Sequence, residues 1–293
     1  MALLGKFGGE LTAKQFQKLL FLFTRKQDVK AYDFVPVHYG CYSFQASQDI
    51  HALATMGHVN IKDFPEGSHI FLLDKEDYVT TLTLFDQKAL WDTYNEFSRM
   101  SQDELIKYTY VHYPFYATKS DIAEGLLSEE EFTRVKKQER HFDEPMLFTI
   151  GYEGLSLEKY INKLILNDIH TLCDVRKNAF SQKYGFSKSQ LKMACEGTGI
   201  KYIHIPQLGI ESDKRQVLET QADYDKLFEE YEQTTLIRNF DIILAIRDII
   251  NKDKRVALTC YEANPKQCHR SRVANALMHL ENIDYKRQDL INA

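Results

Sequence analysis

The stretch CYEANPKQCHRSRVANAL, residues 260 to 277, gathers two cysteines, a histidine and two arginines where an apolar run stops. Three kinds of chemistry suit that set. With Pro265 fixing the approach, Cys268, His269 and Arg270 are expected in the first turn of a helix. A thiol there is stabilised as thiolate by the helix dipole and by His269, Arg270 and Arg272, so its pKa is expected to fall. The same geometry would bind an anion. Cys260, at the strand end, could face Cys268 across the turn. A tetrahedral zinc site is disfavoured because seven residues separate the cysteines, outside the usual two-to-four spacing, and no second close pair exists, so no metal is expected. Nor does the turn match a phosphatase loop, since Lys266 stands where arginine is needed after Cys260. The alternative is purely structural, with Cys260 a small buried hydrophobe and Cys268 a residue of the cap region.

Ligands of open α/β sheets bind beyond the carboxyl ends of the strands, so the residues just after each apolar run are the ones to inspect. After MLFTIGY comes the GYEG turn with Tyr152 and Glu153; after TLCDVR, the segment DVRKNAFSQKYGFSKSQ; after KYIHIP, PQLGIESDKR; after VALTCY, the cysteine turn with Glu262. Asp174 and Arg176 are two residues apart at one strand end, hence on one side of it, where they could pair or divide between general-base and substrate duty. From Arg176 to Cys195 no acidic residue occurs, while Lys177, Lys183, Lys188 and Lys192 interleave with Phe180, Tyr184 and Phe186. Basic charge with aromatic rings suits a nucleotide or single-stranded nucleic acid. The same segment also reads as a solvated face with its rings tucked into core, and His204 on its strand reads as a core histidine.

The elements that must position these groups are read from periodicity. Apolar residues recur at helical spacing from Thr12, a candidate N-cap, to Arg25. An extended piece broken by Pro36, a turn at Gly40 and a helix from about Ser43 to Gly57 come next. HIFLLD reads as a strand, 85 to 99 and 101 to 112 as helices, and the charged stretch 119 to 145 as a solvated helix followed by a linker with few apolar anchors. Beyond Pro145 strands and helices alternate, with one long helix expected within 222 to 252, and the apolar strands predict a parallel sheet covered on both faces.

Composition sets the outer limits. The chain has 293 residues, 44% apolar and 27% charged, which predicts two globular domains. With 37 basic and 42 acidic side chains the net charge is −5, so nucleic-acid binding requires a local basic face. No apolar stretch approaches the length of a membrane span and no secretory leader is apparent, so a soluble cytoplasmic protein without membrane contact is expected. Five sparse cysteines fit reduced thiols.

The motifs TIGYEG, LCDVR, FSKSQL, GIKYIHIPQLG and CYEANPKQCHRSRVA resemble, in order and spacing over about residues 147 to 280, domain-of-unknown-function family 488. That resemblance implies a Rossmann-like α/β domain with the Cys-His-Arg turn as its hallmark, and it supplies no activity. Where the family usually has arginine or proline between DVR and the GFSK turn, this chain has KNAFSQKY, which puts substrate contacts at those positions in doubt. The segments LTAKQFQKLLFLF, FVPVHYGCYSFQASQDIHALATMGHV and SQDELIKYTYVHYPFYATKS, over about residues 8 to 120, are similar to the Panacea domain of SocA-like antitoxins and phage-defence neighbourhoods. This second resemblance implies a mainly helical interaction module.

The expected architecture is therefore a mainly helical domain with a small β element, residues 1–144 including the charged linker, followed by an α/β domain with a mostly parallel sheet, residues 145–293. Two functions compete. One is an enzyme acting on a nucleotide or nucleic-acid-derived phosphate, in phage defence or DNA metabolism, with Cys260, Cys268 and Asp174 as catalytic candidates. Tyr152, Glu153, Arg176, Lys183, Lys188, Glu262, His269 and Arg270 are its ligand-binding candidates. The other is a non-catalytic nucleotide sensor or antitoxin-like regulator whose N-terminal domain contacts a protein partner. The residues leave the identity of any cofactor open.

Overall fold

The computed structural model describes residues 1–211 and 218–291. Two compact units divide the chain, Met1–Glu139 and Arg140–Ala293. The first begins with α1 (Ala2–Lys6) and β1 (Glu10–Thr12), and then α2 (Ala13–Lys26), whose start is fixed by a capping box in which Thr12 and Gln15 satisfy each other's backbone N–H. A small hairpin comes next, β2 (Val35–Val37) and β3 (Gly40–Tyr42), then α3 (Phe44–Thr55), capped by Ser43. The hairpin β4 (Val59–Phe64) and β5 (Gly67–Leu72) pairs with β1 in an antiparallel three-stranded sheet. The helices α4 (Leu84–Phe97), α5 (Gln102–His112), α6 (Ala123–Leu126) and α7 (Glu129–Lys136) complete the unit.

The central helix α2 is buried on every side from Phe16 to Thr24. Even Lys18 lies inside, its ammonium donating to the carbonyls of Tyr39 and Cys41. The charged stretch expected to be solvated is anchored instead. Ala123, Leu127 and Val135 are buried with Ile106, Tyr110 and Ala117, because α6 and α7 turn their few apolar residues inward. Only 139 to 145 lacks regular structure at the junction.

The second unit is a five-stranded, all-parallel sheet, in agreement with the alternation of the sequence. Along the chain run β6 (Met146–Gly151), α8 (Leu157–Leu166), β7 (Thr171–Asp174), α9 (Lys188–Glu196) and β8 (Lys201–His204). Helices α10 (Gln221–Tyr231) and α11 (Phe240–Asp253), β9 (Arg255–Cys260), α12 (Arg270–Met278) and β10 (Lys286–Leu290) complete the order. The strand order is β10-β6-β9-β7-β8. The long helix expected within 222 to 252 is broken, since a π-helical turn, Glu232–Leu236, separates α10 from α11.

Strand β9 is buried at every residue and sits between β6 and β7. Its side chains alternate between faces. Val256 and Leu258 pack with Leu147, Cys173 and the apolar residues of α11 and α12. On the opposite face Thr259 accepts a hydrogen bond from Tyr160 of α8 at 2.8 Å. Cys260 shares the parity of Leu258, so its thiol faces α12. No helix among the described residues is long and apolar enough to cross a membrane.

Candidate functional site

A cleft of about 480 Å³ opens at the carboxyl ends of β6, β7 and β9, the three central strands. Tyr152, Arg176, Lys183, Tyr261 and Glu262 form its walls, and Cys260 and His269 its inner end. Two close backbone approaches shape it. A Cβ added to Gly151 would stand 1.9 Å from the carbonyl oxygen of Glu262, and one added to Gly209 would stand 2.0 Å from the backbone nitrogen of Lys177. Only glycine lets the turns after β9 and β7 sit this close to their neighbours.

The Asp174–Arg176 pair is the buttress of one wall. Arg176 Nε lies 2.8 Å from Asp174 Oδ1, and Tyr202 donates to Asp174 Oδ2 at 2.6 Å. Asp174 is fully buried and both its oxygens are engaged, so it is committed to holding Arg176 and is not presented as a general base. Burial works against the charge of Arg176, but Asp174 outweighs it and the guanidinium is held firmly protonated. Arg176 in turn donates to the Tyr152 hydroxyl and to the Phe186 carbonyl. Phe186, expected as a stacking ring for a base, is buried and stacks on Tyr152 with ring centroids 4.2 Å apart. It packs the wall from behind because the GFSK turn folds its ring inward. His204 Nε2 lies 2.9 Å from the Arg176 carbonyl oxygen; a carbonyl only accepts, so Nε2 carries the proton.

At the inner end, His269 Nε2 lies 2.9 Å from the Val175 carbonyl oxygen, which likewise assigns the proton to Nε2. In the neutral ring Nδ1 is then the acceptor, and it lies 3.7 Å from Cys260 Sγ. Cys260 Sγ also lies 3.1 Å from Glu262 Oε2. Cys268 sits behind, buried, before the N-cap His269 and outside the first turn of α12. Its pKa is pushed well up, by burial first and by Cys260 second, which reverses the sequence expectation of a depressed thiol. The helix begins at Arg270, two residues beyond Cys268, so the sulfur lies outside the first turn in which it was expected.

Arg270 also departs from expectation. Its residue is 1% exposed, and its guanidinium donates to the carbonyls of Glu262 and Ala263 instead of facing the cleft. It pins the turn that carries Glu262. Glu153 accepts from the Ala263 N–H at 2.8 Å and so braces the same turn. Lys183 borders the cleft, its ammonium donating to the Tyr152 carbonyl at 3.1 Å. Lys188 lies in a neighbouring depression with Lys192 and His204, reached past Lys177, Asn178 and Phe180, which border both hollows.

The seven-residue separation of the two cysteines does not keep them apart in space. A short 3₁₀ turn, Pro265–Gln267, folds the chain back so that one donor atom each from Cys260, Cys268 and His269 lies within 4.8 Å of the others. Lining residues that the sequence did not single out as site residues are Lys177, Asn178, Phe180, Ser181, Gln182, Ile210 and Tyr261. Most belong to the acid-free segment after β7, and that signal was available; Ile210 and Tyr261 carry none. Residues 212–215 of the stretch after β8 lie outside the described residues. None of the five cysteines is in a disulfide, and all five are buried.

No curated protein and no solved structure matches the chain. Residues 156–277 match the family described as Domain of unknown function DUF488, and Arg176, Lys177, Cys260 and His269 all fall inside that segment.

Proposed function

We propose that the C-terminal unit is an enzyme acting on a nucleotide, or on a phosphate ligand derived from nucleic acid, with the reacting bond placed over Cys260 and His269. The observation that carries this reading is the convergence on one cleft of two lysines, Lys177 and Lys183, two exposed rings, Phe180 (71%) and Tyr261 (45%), and the Cys260–His269 pair. The volume is in the range of small-ligand pockets, roughly 300 to 1,000 Å³. Cations suit phosphate oxygens and the rings suit a planar base. Lys177 is held by an exposed ion pair to Glu211 at 3.3 Å, a contact weak enough for a phosphate to displace.

Lys188 and Lys192 extend the basic path beyond the cleft, which supports a ligand with more than one phosphate. The N-terminal unit is proposed as the part that contacts a protein partner, since α4 exposes Leu84, Phe85 and Trp91. Calorimetric titration of the full chain with nucleoside mono-, di- and triphosphates, inorganic phosphate and a short single strand tests the ligand class. Saturable nucleotide binding that weakens at least about tenfold in Lys177→Glu and in Phe180→Ala is expected. Binding of no nucleotide and no oligonucleotide, or affinities untouched by both substitutions, would remove the basis for the proposal.

A further inference from the structure

The inner end of the cleft holds the donor set of a metal centre. Cys260, Cys268 and His269 are all buried, and their ligand atoms lie within 4.8 Å of one another. A tetrahedral ion at the usual zinc–sulfur and zinc–nitrogen lengths sets a thiolate and an imidazole nitrogen about 3.6 Å apart. Cys260 Sγ and His269 Nδ1 are 3.7 Å apart. The orientation of the ring also fits. Ligating histidines usually give their other N–H to a carbonyl or carboxylate, and Nε2 of His269 is 2.9 Å from the Val175 carbonyl oxygen, leaving the Nδ1 lone pair toward the cysteines.

We propose that Cys260, Cys268 and His269 bind a divalent ion of the zinc class, with its fourth position turned toward the cleft. Two thiolates with one imidazole favour zinc over the hard cations that take oxygen ligands. Three protein ligands with one position open is the arrangement of catalytic zinc sites, whereas structural sites are closed by four. Of the three, Cys260 and His269 border the cleft, and Cys268 closes the site from behind. Glu262 stands beside the open position, its Oε2 3.1 Å from Cys260 Sγ, where it can accept a proton from water on the ion. The turn that carries Glu262 is pinned by Arg270 and Glu153, so the groups around the ligands are themselves held in place. This inference deepens the function proposed above and rests on it only for what the ion would do, not for whether the ion binds.

The test uses the full chain, reduced and stripped of metal, titrated with cobalt(II) as a spectroscopic stand-in and then with zinc. One equivalent of cobalt should produce a thiolate-to-cobalt absorption and the intense visible bands of a tetrahedral ion, and zinc should displace it. Cys260→Ser and Cys268→Ser should each weaken binding at least about 100-fold, whereas Cys195→Ser, a buried thiol of α9, should bind as wild type. Absence of the thiolate band in the wild type, or wild-type binding in both cysteine variants, overturns the proposal. Should a variant fail to fold, the wild type carries the test alone: zinc has to suppress alkylation of Cys260 at the cleft, and an unchanged rate overturns it. Nucleotide titrations run in parallel separate the two ideas. Cobalt bound with no nucleotide uptake removes the proposed function and leaves the metal site standing; nucleotide uptake with no cobalt bound does the reverse.

Discussion

Replacing Arg270 by alanine removes a guanidinium that donates to two carbonyls of one turn, those of Glu262 and Ala263, and approaches Thr149 Oγ1 at 3.4 Å. Each buried hydrogen bond from a charged donor contributes about 1.5 to 3 kcal/mol, so the two carbonyl contacts together come to about 3 to 6 kcal/mol. Part of that is offset, because the folded state no longer holds a guanidinium out of water. A net loss of about 2 to 4 kcal/mol results, which for a domain of this size lowers Tm by about 5 to 15 °C. Thermal unfolding of the full chain, followed by circular dichroism, measures it. Arg270→Met, which keeps the apolar stem, should recover some packing and none of the turn's hydrogen bonds, and should fall between alanine and wild type. The reasoning is refuted if the alanine variant melts with the wild type while its affinity for a phosphate-bearing ligand collapses. Arg270 would then be a ligand group after all, and its burial would reflect a closed state of the turn.

Three further outcomes are expected. Phe186→Ala should cost about 3 to 5 kcal/mol as a core truncation, seen as a shifted denaturant midpoint, since the ring is fully buried against Tyr152; a stable variant with selectively weaker binding to single strands would restore the ring to a base-stacking role. Glu211→Gln should raise the affinity for an anionic nucleotide by releasing Lys177 from its ion pair, and the gain should fade as salt is added; an unchanged affinity would mean that Lys177 does not meet the ligand. The protein should lose stability at alkaline pH. Burial pushes the phenol of Tyr110 up to about 12, and burial likewise raises Tyr160 and Tyr202. A phenol whose folded pKa lies above its unfolded value near 10 contributes stability that is complete below about pH 10 and lost as pH rises through the folded value. Unfolding should therefore accompany tyrosinate absorption; titration of all the tyrosines near pH 10 in a chain that stays folded would show that the burial is not maintained.

How much of this was written in the chain itself differs from feature to feature. The parallel sheet was legible because strands buried on both faces must be nearly continuously apolar, as Val256 to Cys260 are apart from Thr259, and because helices must alternate with them. The N-cap at Thr12 and the helix start near Ser43 were legible because a side-chain oxygen before an apolar period acts locally. The position of the cleft came from the same grammar, since strand ends collect the residues that no core can accept. The sequence could not decide where long side chains turn. Arg176 and Arg270 are both arginines at strand or helix ends, yet the first borders the cleft under the hold of Asp174 and the second is buried among carbonyls; that choice depends on which turn of the chain lies within reach. Phe180 and Phe186 sit six residues apart in one basic segment, and only the stacking partner Tyr152, brought in from the end of β6, sends the second inward. The proximity of the two cysteines was hidden for a related reason. Linear separation keeps side chains apart only where the chain between them is extended, and the 3₁₀ turn at Pro265 folds back the seven residues between the cysteines, so that both thiols and the His269 ring come within 4.8 Å of one another.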